Sequence, residues 1–170
     1  MVLVENKKCP GCKACFVQNE TDISHSYIGA NPECWEMYGK ILVKEFENPD
    51  YFKVHRITAD TYGAQHIGDQ ADRRARQSAN VHLIALYLTV GELEDPRKVL
   101  EFLKEATRVK RDWPALSQRQ APKWMTVKDI IEAHTAEEHG LLVKKWGQSV
   151  WNEYSDIHSS IKDLYIKGRS

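Results

Sequence analysis

Apolar positions return every three or four residues along most of this chain, the spacing that lines one face of a helix. Trp35, Tyr38, Leu42 and Phe46 follow that rhythm. Asn31 can cap the helix start, Pro32 fits its first position, Glu33 complements its dipole, and Asn48-Pro49-Asp50 ends it. From Val54 to His66, the β-branched Thr, Val and Ile favour strand, while Ala59, Tyr62 and His66 recur at helical intervals. Helix is the expectation, with Gly68 closing it. Ala75, Ala79, Leu83, Leu86 and Val90 mark the next helix, opened by Asp69 or Asp72 and closed by Gly91 as its C′ residue. It turns apolar almost all round, so it should be central.

Asp95 and Pro96 start a further helix that faces Val99, Leu100, Leu103 and Ala106 inward and stops before Lys110-Arg111. Trp113 to Lys123, with Pro114 and Pro122, is a connection. Thr126 and Asp129 form an imperfect capping box for a short helix. Residues 136 to 166 then carry Val143, Trp146, Val150, Tyr154, Ile157, Ile161 and Leu164 as one long helix. The predicted fold is all-α, a bundle of five to six helices over residues 31–166 with a zinc-knuckle-like loop at 9–34, in one domain spanning 1–170.

Composition narrows the class. With 42% hydrophobic and 28% charged residues, the chain can bury a core and is neither a disordered tail nor a fibre. Lys plus Arg and Asp plus Glu are both 24, so no overall field attracts phosphate backbones, and nucleic acid is an unlikely partner. The longest apolar run, Val81 to Val90, covers about half a bilayer, so no membrane role is expected. The start Met1-Val-Leu-Val-Glu-Asn-Lys-Lys has no signal-peptide pattern, which predicts a cytoplasmic protein. In that reducing setting, the four cysteines at 9, 12, 15 and 34 read as metal ligands before disulfides.

Cys9-Pro10-Gly11-Cys12 sets two thiolates on a tight turn, with proline fixing one φ and glycine allowing the sulfurs to converge. Cys34 lies in the first turn of its helix, where the dipole favours a thiolate. His25 is the preferred fourth ligand and Cys15 the all-thiolate alternative. A closed four-ligand site implies structural zinc, although iron also accepts thiolates. A redox role for Cys9 and Cys12 lacks the expected βαβ context.

A second set comprises His55, Asp60, Tyr62, Gln65, His66, Gln77 and His82. On one helix His55 and His66 would stand about 16 Å apart, too far for one ion. His66 and His82 can converge with Asp60 as orienter, making these three the catalytic candidates, with Tyr62, Gln65 and Gln77 around a ligand pocket. For any single histidine, a hydrogen-bonded packing role is the simpler reading, and it is preferred for His158. His134 and His139 are five apart and do not share a face. Trp146 is assigned to the core and Trp151 to a flank or pocket rim. Arg73-Arg74-Ala75-Arg76 reads as a solvated basic face. Phosphate loops, nucleophile elbows and dinucleotide fingerprints are all missing.

The ordered motifs Cys-Pro-Gly-Cys at 9–12, Asn-Pro-Glu-Cys-Trp at 31–35, Val-His-Arg-Ile-Thr-Ala-Asp-Thr-Tyr-Gly-Ala-Gln-His at 54–66, Gln-Ser-Ala-Asn-Val-His-Leu at 77–83 and Trp-Gly-Gln-Ser-Val-Trp at 146–151 resemble a bacterial family of uncharacterised proteins, classed as a domain of unknown function. The likeness runs from Cys9 to about Ile161. That family usually has glycine after the second cysteine, where this chain has Lys13, and its motif omits Cys15. The resemblance implies a histidine at the place of His25, and one shared site for Asp60, Gln65, His66, Gln77 and His82. It supplies no reaction. The expected function is therefore a zinc-binding helical protein whose polar pocket takes a small molecule or a protein partner. A metal-dependent hydrolase using His66, His82 and Asp60 is the first alternative, and a zinc-knuckle module docking protein or nucleic acid the second.

Overall fold

The structure, a computed structural model, describes residues 5–92, 94–108 and 110–168, so the start of the N-terminal reading, Met1 to Val4, lies outside the described residues. The chain opens with a hairpin of strands β1 (Asn6–Lys8) and β2 (Cys15–Val17), antiparallel with Lys8 opposite Cys15. A loop was expected here. Three-residue strands are too short for alternation to register in the sequence, and the backbone ladder holds them instead. The turn between them carries Cys9 and Cys12, closed by Cys9 N–H donating to Ala14 O at 2.8 Å. Lys13 lies in the left-handed region at φ 67°, where a side chain costs about 1–2 kcal/mol.

Helix α1 (Pro32–Glu47) starts as read, with the Asn31 side chain accepting from Cys34 N–H at 3.0 Å. Asn48 then caps a short α2 (Pro49–Phe52) before α3 (His55–Gln65), and Asp72 caps α4 (Arg73–Leu86). Gly91 is not a C′ residue: the chain widens into a π turn over Tyr87–Gly91, with Glu92 N–H bonding Tyr87 O at 2.8 Å. There the Thr89 hydroxyl occupies Ala85 O at 2.9 Å, competing with the regular ladder. Helices α5 (Pro96–Arg108) and α6 (Val127–Ile131) follow, the latter with its capping box complete.

The predicted long helix is broken. It consists of α7 (Ala136–Glu153), a 3-10 turn (Ser155–Ile157) and α8 (His158–Lys167). Tyr154 makes the break. Its ring is buried, its hydroxyl donates to Ala64 O at 2.7 Å, and Arg119 covers its face at 4.4 Å. His158 then folds back, its Nε2 donating to Trp151 O at 2.8 Å and its ring stacked on Trp151 at 3.7 Å. Both Trp146 and Trp151 are buried, so Trp151 is core rather than rim. The fold is nevertheless all-α apart from the small hairpin, with eight helices among the described residues.

Helix α4 is central as its pattern predicts: Ala75, Ala79, Leu83, Ile84, Ala85 and Leu86 are wholly buried. It packs against α3, which also packs against α7. Gly63 allows the first of these crossings, since a Cβ there would collide with the His82 ring. Gly63→Ala should therefore cost about 1–3 kcal/mol and push His82 off its partner, as small-to-large changes in packed interiors do. Urea unfolding measures this, and an unchanged midpoint would contradict the tight crossing.

A buried carboxylate joins three helices. Glu45 of α1, wholly enclosed, accepts from His55 Nδ1 at 2.7 Å and Thr58 Oγ1 at 2.5 Å on α3, and from His139 Nε2 at 2.9 Å on α7. Within the described residues no helix is long and apolar enough to cross a membrane.

Candidate functional site

Three separate segments bring Cys9, Cys12, Cys34 and His66 together. The hairpin turn contributes the first two, the first turn of α1 contributes Cys34, and the residue ending α3 contributes His66. Their relative exposures are 0%, 2%, 0% and 0%, and one ligand atom from each lies within 4.8 Å of all the others. A tetrahedral ion with Zn–S near 2.3 Å and Zn–N near 2.05 Å would space its ligands by about 3.8 Å between sulfurs and about 3.5 Å between sulfur and nitrogen. Cys12 Sγ to Cys34 Sγ is 3.8 Å, and Cys34 Sγ to His66 Nε2 is 3.3 Å. Those two separations are close to tetrahedral ligand spacing, and all the others lie within 4.8 Å.

Local chemistry holds each ligand. The His66 Nδ1–H donates to Tyr62 O at 2.8 Å, which leaves Nε2 with its lone pair toward the sulfurs, the usual second-shell device for a ligating imidazole. Tyr62 stacks on the His66 ring at 3.9 Å, and its hydroxyl reaches Cys34 Sγ at 3.5 Å. Burial, together with the Cys34 sulfur, pushes the Tyr62 phenol far above its usual range, so it remains a neutral donor. Gly11 lets the knuckle approach His66: a Cβ there would strike the imidazole and stand 2.6 Å from Gly29 O. Trp124 Nε1 donates to Cys12 O at 2.9 Å and Lys128 Nζ to Cys15 O at 3.0 Å, clasping the turn from the far side.

Three thiols this close share protons unequally. Hydrogen bonds from Cys12 and then Cys34 hold Cys9 far below its ordinary 9.0. The bond with Cys34 lowers Cys12, but the bond with Cys9 and burial outweigh it and push Cys12 up to about 12. Cys34 is raised by its bonds to Cys12 and Cys9 and by burial. Of the three, Cys9 is the sulfur most readily ionised, and Cys12 and Cys34 hold their protons more tightly. A bound dication would favour all three thiolates.

His25 is not in this cluster. Its ring packs on Tyr27 at 4.2 Å and Trp35 at 5.3 Å, and His66 holds the place the sequence reading assigned to it. The cause is tertiary: α3 returns its C-terminus to the knuckle, while the His25 ring is held against Tyr27 and Trp35. Cys15 is exposed on β2, outside the cluster. The expected trio of Asp60, His66 and His82 also separates. His66 faces the sulfurs, whereas buried Asp60 accepts from His82 Nδ1 at 2.9 Å and from both Nε (2.7 Å) and Nη2 of Arg56. Among the described residues no second set of three close metal-ligating side chains occurs. Gln65 is buried with both ends of its amide engaged. Its Nε2 donates to Met125 O at 2.8 Å and its Oε1 accepts from Trp146 Nε1 at 3.3 Å, pinning the 113–126 connection to the core.

Gln77 and His82 do share a recess. It measures about 530 Å³, lies between α3, α4 and α5, and also takes in Arg56 and Arg74. Tyr62 and His25 instead line a smaller hollow of about 170 Å³ that shares His82 with it. Sequence reasoning missed Arg56, although its i, i+4 spacing to Asp60 was visible. It also missed Glu45, whose partners lie 10 and 94 residues away.

Fold and site together define a helical protein with a buried cluster of three cysteines and one histidine able to hold a metal ion. A family of unknown function, DUF5946, matches residues 7–155, and the chain belongs to that family. No curated protein and no solved structure shows a significant match to it.

Proposed function

We propose that this is a zinc protein in which Cys9, Cys12, Cys34 and His66 hold one structural ion, and that the clamped helical body binds a small molecule in the recess beside His82. The carrying observation is the closed set of four ligand atoms, drawn from three segments and buried from solvent. Such closure leaves no position for a reactive water, so the ion's role is folding and not catalysis. Free, unpaired cysteines support a reducing compartment, and hence a cytoplasmic protein. Zinc is favoured over iron because one ion with mixed sulfur and nitrogen ligands in tetrahedral spacing is its common structural arrangement.

Elemental mass spectrometry on untagged protein tests this directly. Wild type and His25→Ala should each carry one zinc, and His66→Ala should lose it. Retention of zinc by His66→Ala would refute the assignment of the fourth ligand. Calorimetry in buffers of different ionisation enthalpy should also show about two protons released per zinc near neutral pH, from Cys12 and Cys34, whose thiols are pushed up while Cys9 is held far below its ordinary value. Three released protons would mean that Cys9 is not a thiolate in the metal-free state.

A further inference from the structure

The recess between α3, α4 and α5 has a sided chemistry that neither the zinc site nor the buried core requires. Arg56 gives its Nε and one Nη2 hydrogen to Asp60, leaving the other three of its five N–H groups uncommitted. Asp60 is fully buried behind it and also fixes the His82 Nδ1. The acid is thus spent on orientation: it holds one guanidinium and one imidazole at the wall, and their outer edges are free to act. Arg74, one turn before Ser78 on α4, lines the same space, and its guanidinium has no hydrogen-bond or ion-pair partner among the described residues. Among the described residues no carboxylate lines the recess, and Gln77 and Ser78 add neutral polar groups.

The remaining wall is formed by Tyr27, Val81, Leu103 and Thr107, with Val81 and Leu103 its aliphatic part. At about 530 Å³ the space is far larger than an inorganic anion and falls in the range of small-molecule sites. From these observations we infer that the recess binds a small organic anion, with its carboxylate or phosphoryl group between Arg56 and Arg74 and its apolar body against Tyr27 and Leu103. Arginine's fork suits either head group, and the pre-oriented Arg56 loses little freedom on binding. The basic run at 73–76 is therefore not wholly a solvated face: Arg74 belongs to the recess, while Arg76 is tied to the Trp113, Gln70 and Ala71 carbonyls.

This inference rests on the small-molecule reading of the recess proposed above, on a zinc-loaded scaffold, so zinc content is measured on every sample first. Phenyl phosphate, benzoate and the neutral benzyl alcohol are titrated into the metal-loaded protein, with amide resonances of α4 followed by nuclear magnetic resonance. At least one anion should bind while benzyl alcohol does not, and which anion binds more tightly identifies the head group. Arg74→Ala, at an exposed position that leaves the core intact, should weaken binding by on the order of tenfold or more, and Arg74→Lys by less. Saturable binding that is equal for benzyl alcohol, unchanged in Arg74→Ala, or absent for both anions would overturn the inference. If zinc is absent but anion binding persists and depends on Arg74, the clamp reading fails and the recess assignment stands.

Discussion

Cys34→Ser should abolish zinc binding and lower the melting temperature by roughly 8–16 °C. With free zinc a thousandfold above the dissociation constant, binding to the folded state alone is worth about 4 kcal/mol, and at this chain length each kcal/mol moves the melting temperature by about 2–4 °C. Cys34 is the position to choose because it joins two layers of the site. Its sulfur stands 3.8 Å from Cys12, 3.3 Å from His66 and 3.5 Å from the Tyr62 hydroxyl. Serine keeps the helix start, since the Asn31 cap bonds the backbone N–H of residue 34 and not its side chain. The loss can thus be read as loss of the ion and not of the helix. A chelator should reproduce the shift in wild type and do nothing further to Cys34→Ser, while Cys15→Ser should behave as wild type. A chelator-sensitive Cys34→Ser protein would show that the metal is held elsewhere.

Glu45→Ala should cost about 3–5 kcal/mol in urea unfolding, even though Glu45 touches neither the metal cluster nor the recess. The carboxylate is wholly buried and accepts from His55, Thr58 and His139, which belong to two other helices. Removing it leaves three buried or half-buried donors without their acceptor and opens a cavity among α1, α3 and α7. Glu45→Gln should lose less, because the amide oxygen still accepts. The double variant His55→Ala with Glu45→Ala should cost less than the two single changes added together, since the pair is in contact. Simple additivity in that cycle would mean that the carboxylate and the imidazole act independently.

The sequence by itself determined the local features. Capping residues at Asn31, Asp72, Asp95 and Thr126 mark helix starts that the structure keeps. The apolar stripe of α4 specified its central place, because a helix apolar on nearly every face has to be buried. The cysteine half-site was equally legible, since Cys-Pro-Gly-Cys draws two sulfurs together within one turn of chain. Tertiary structure decided what depends on distant pairs. His66 sits 32 residues beyond Cys34, and no local spacing distinguishes it from His25; it becomes the fourth member of the cluster because α3 ends against the knuckle. Asp60 and His82, 22 residues apart, meet only where Gly63 lets α3 and α4 close on each other. The helix read over 136–166 breaks at Tyr154 because its hydroxyl reaches Ala64, 90 residues earlier, and that bond outweighs the periodicity on either side. Propensity and capping act within a turn or two of helix and are written in neighbouring residues. Metal clusters and buried carboxylates need donors from several segments, and only packing brings those together.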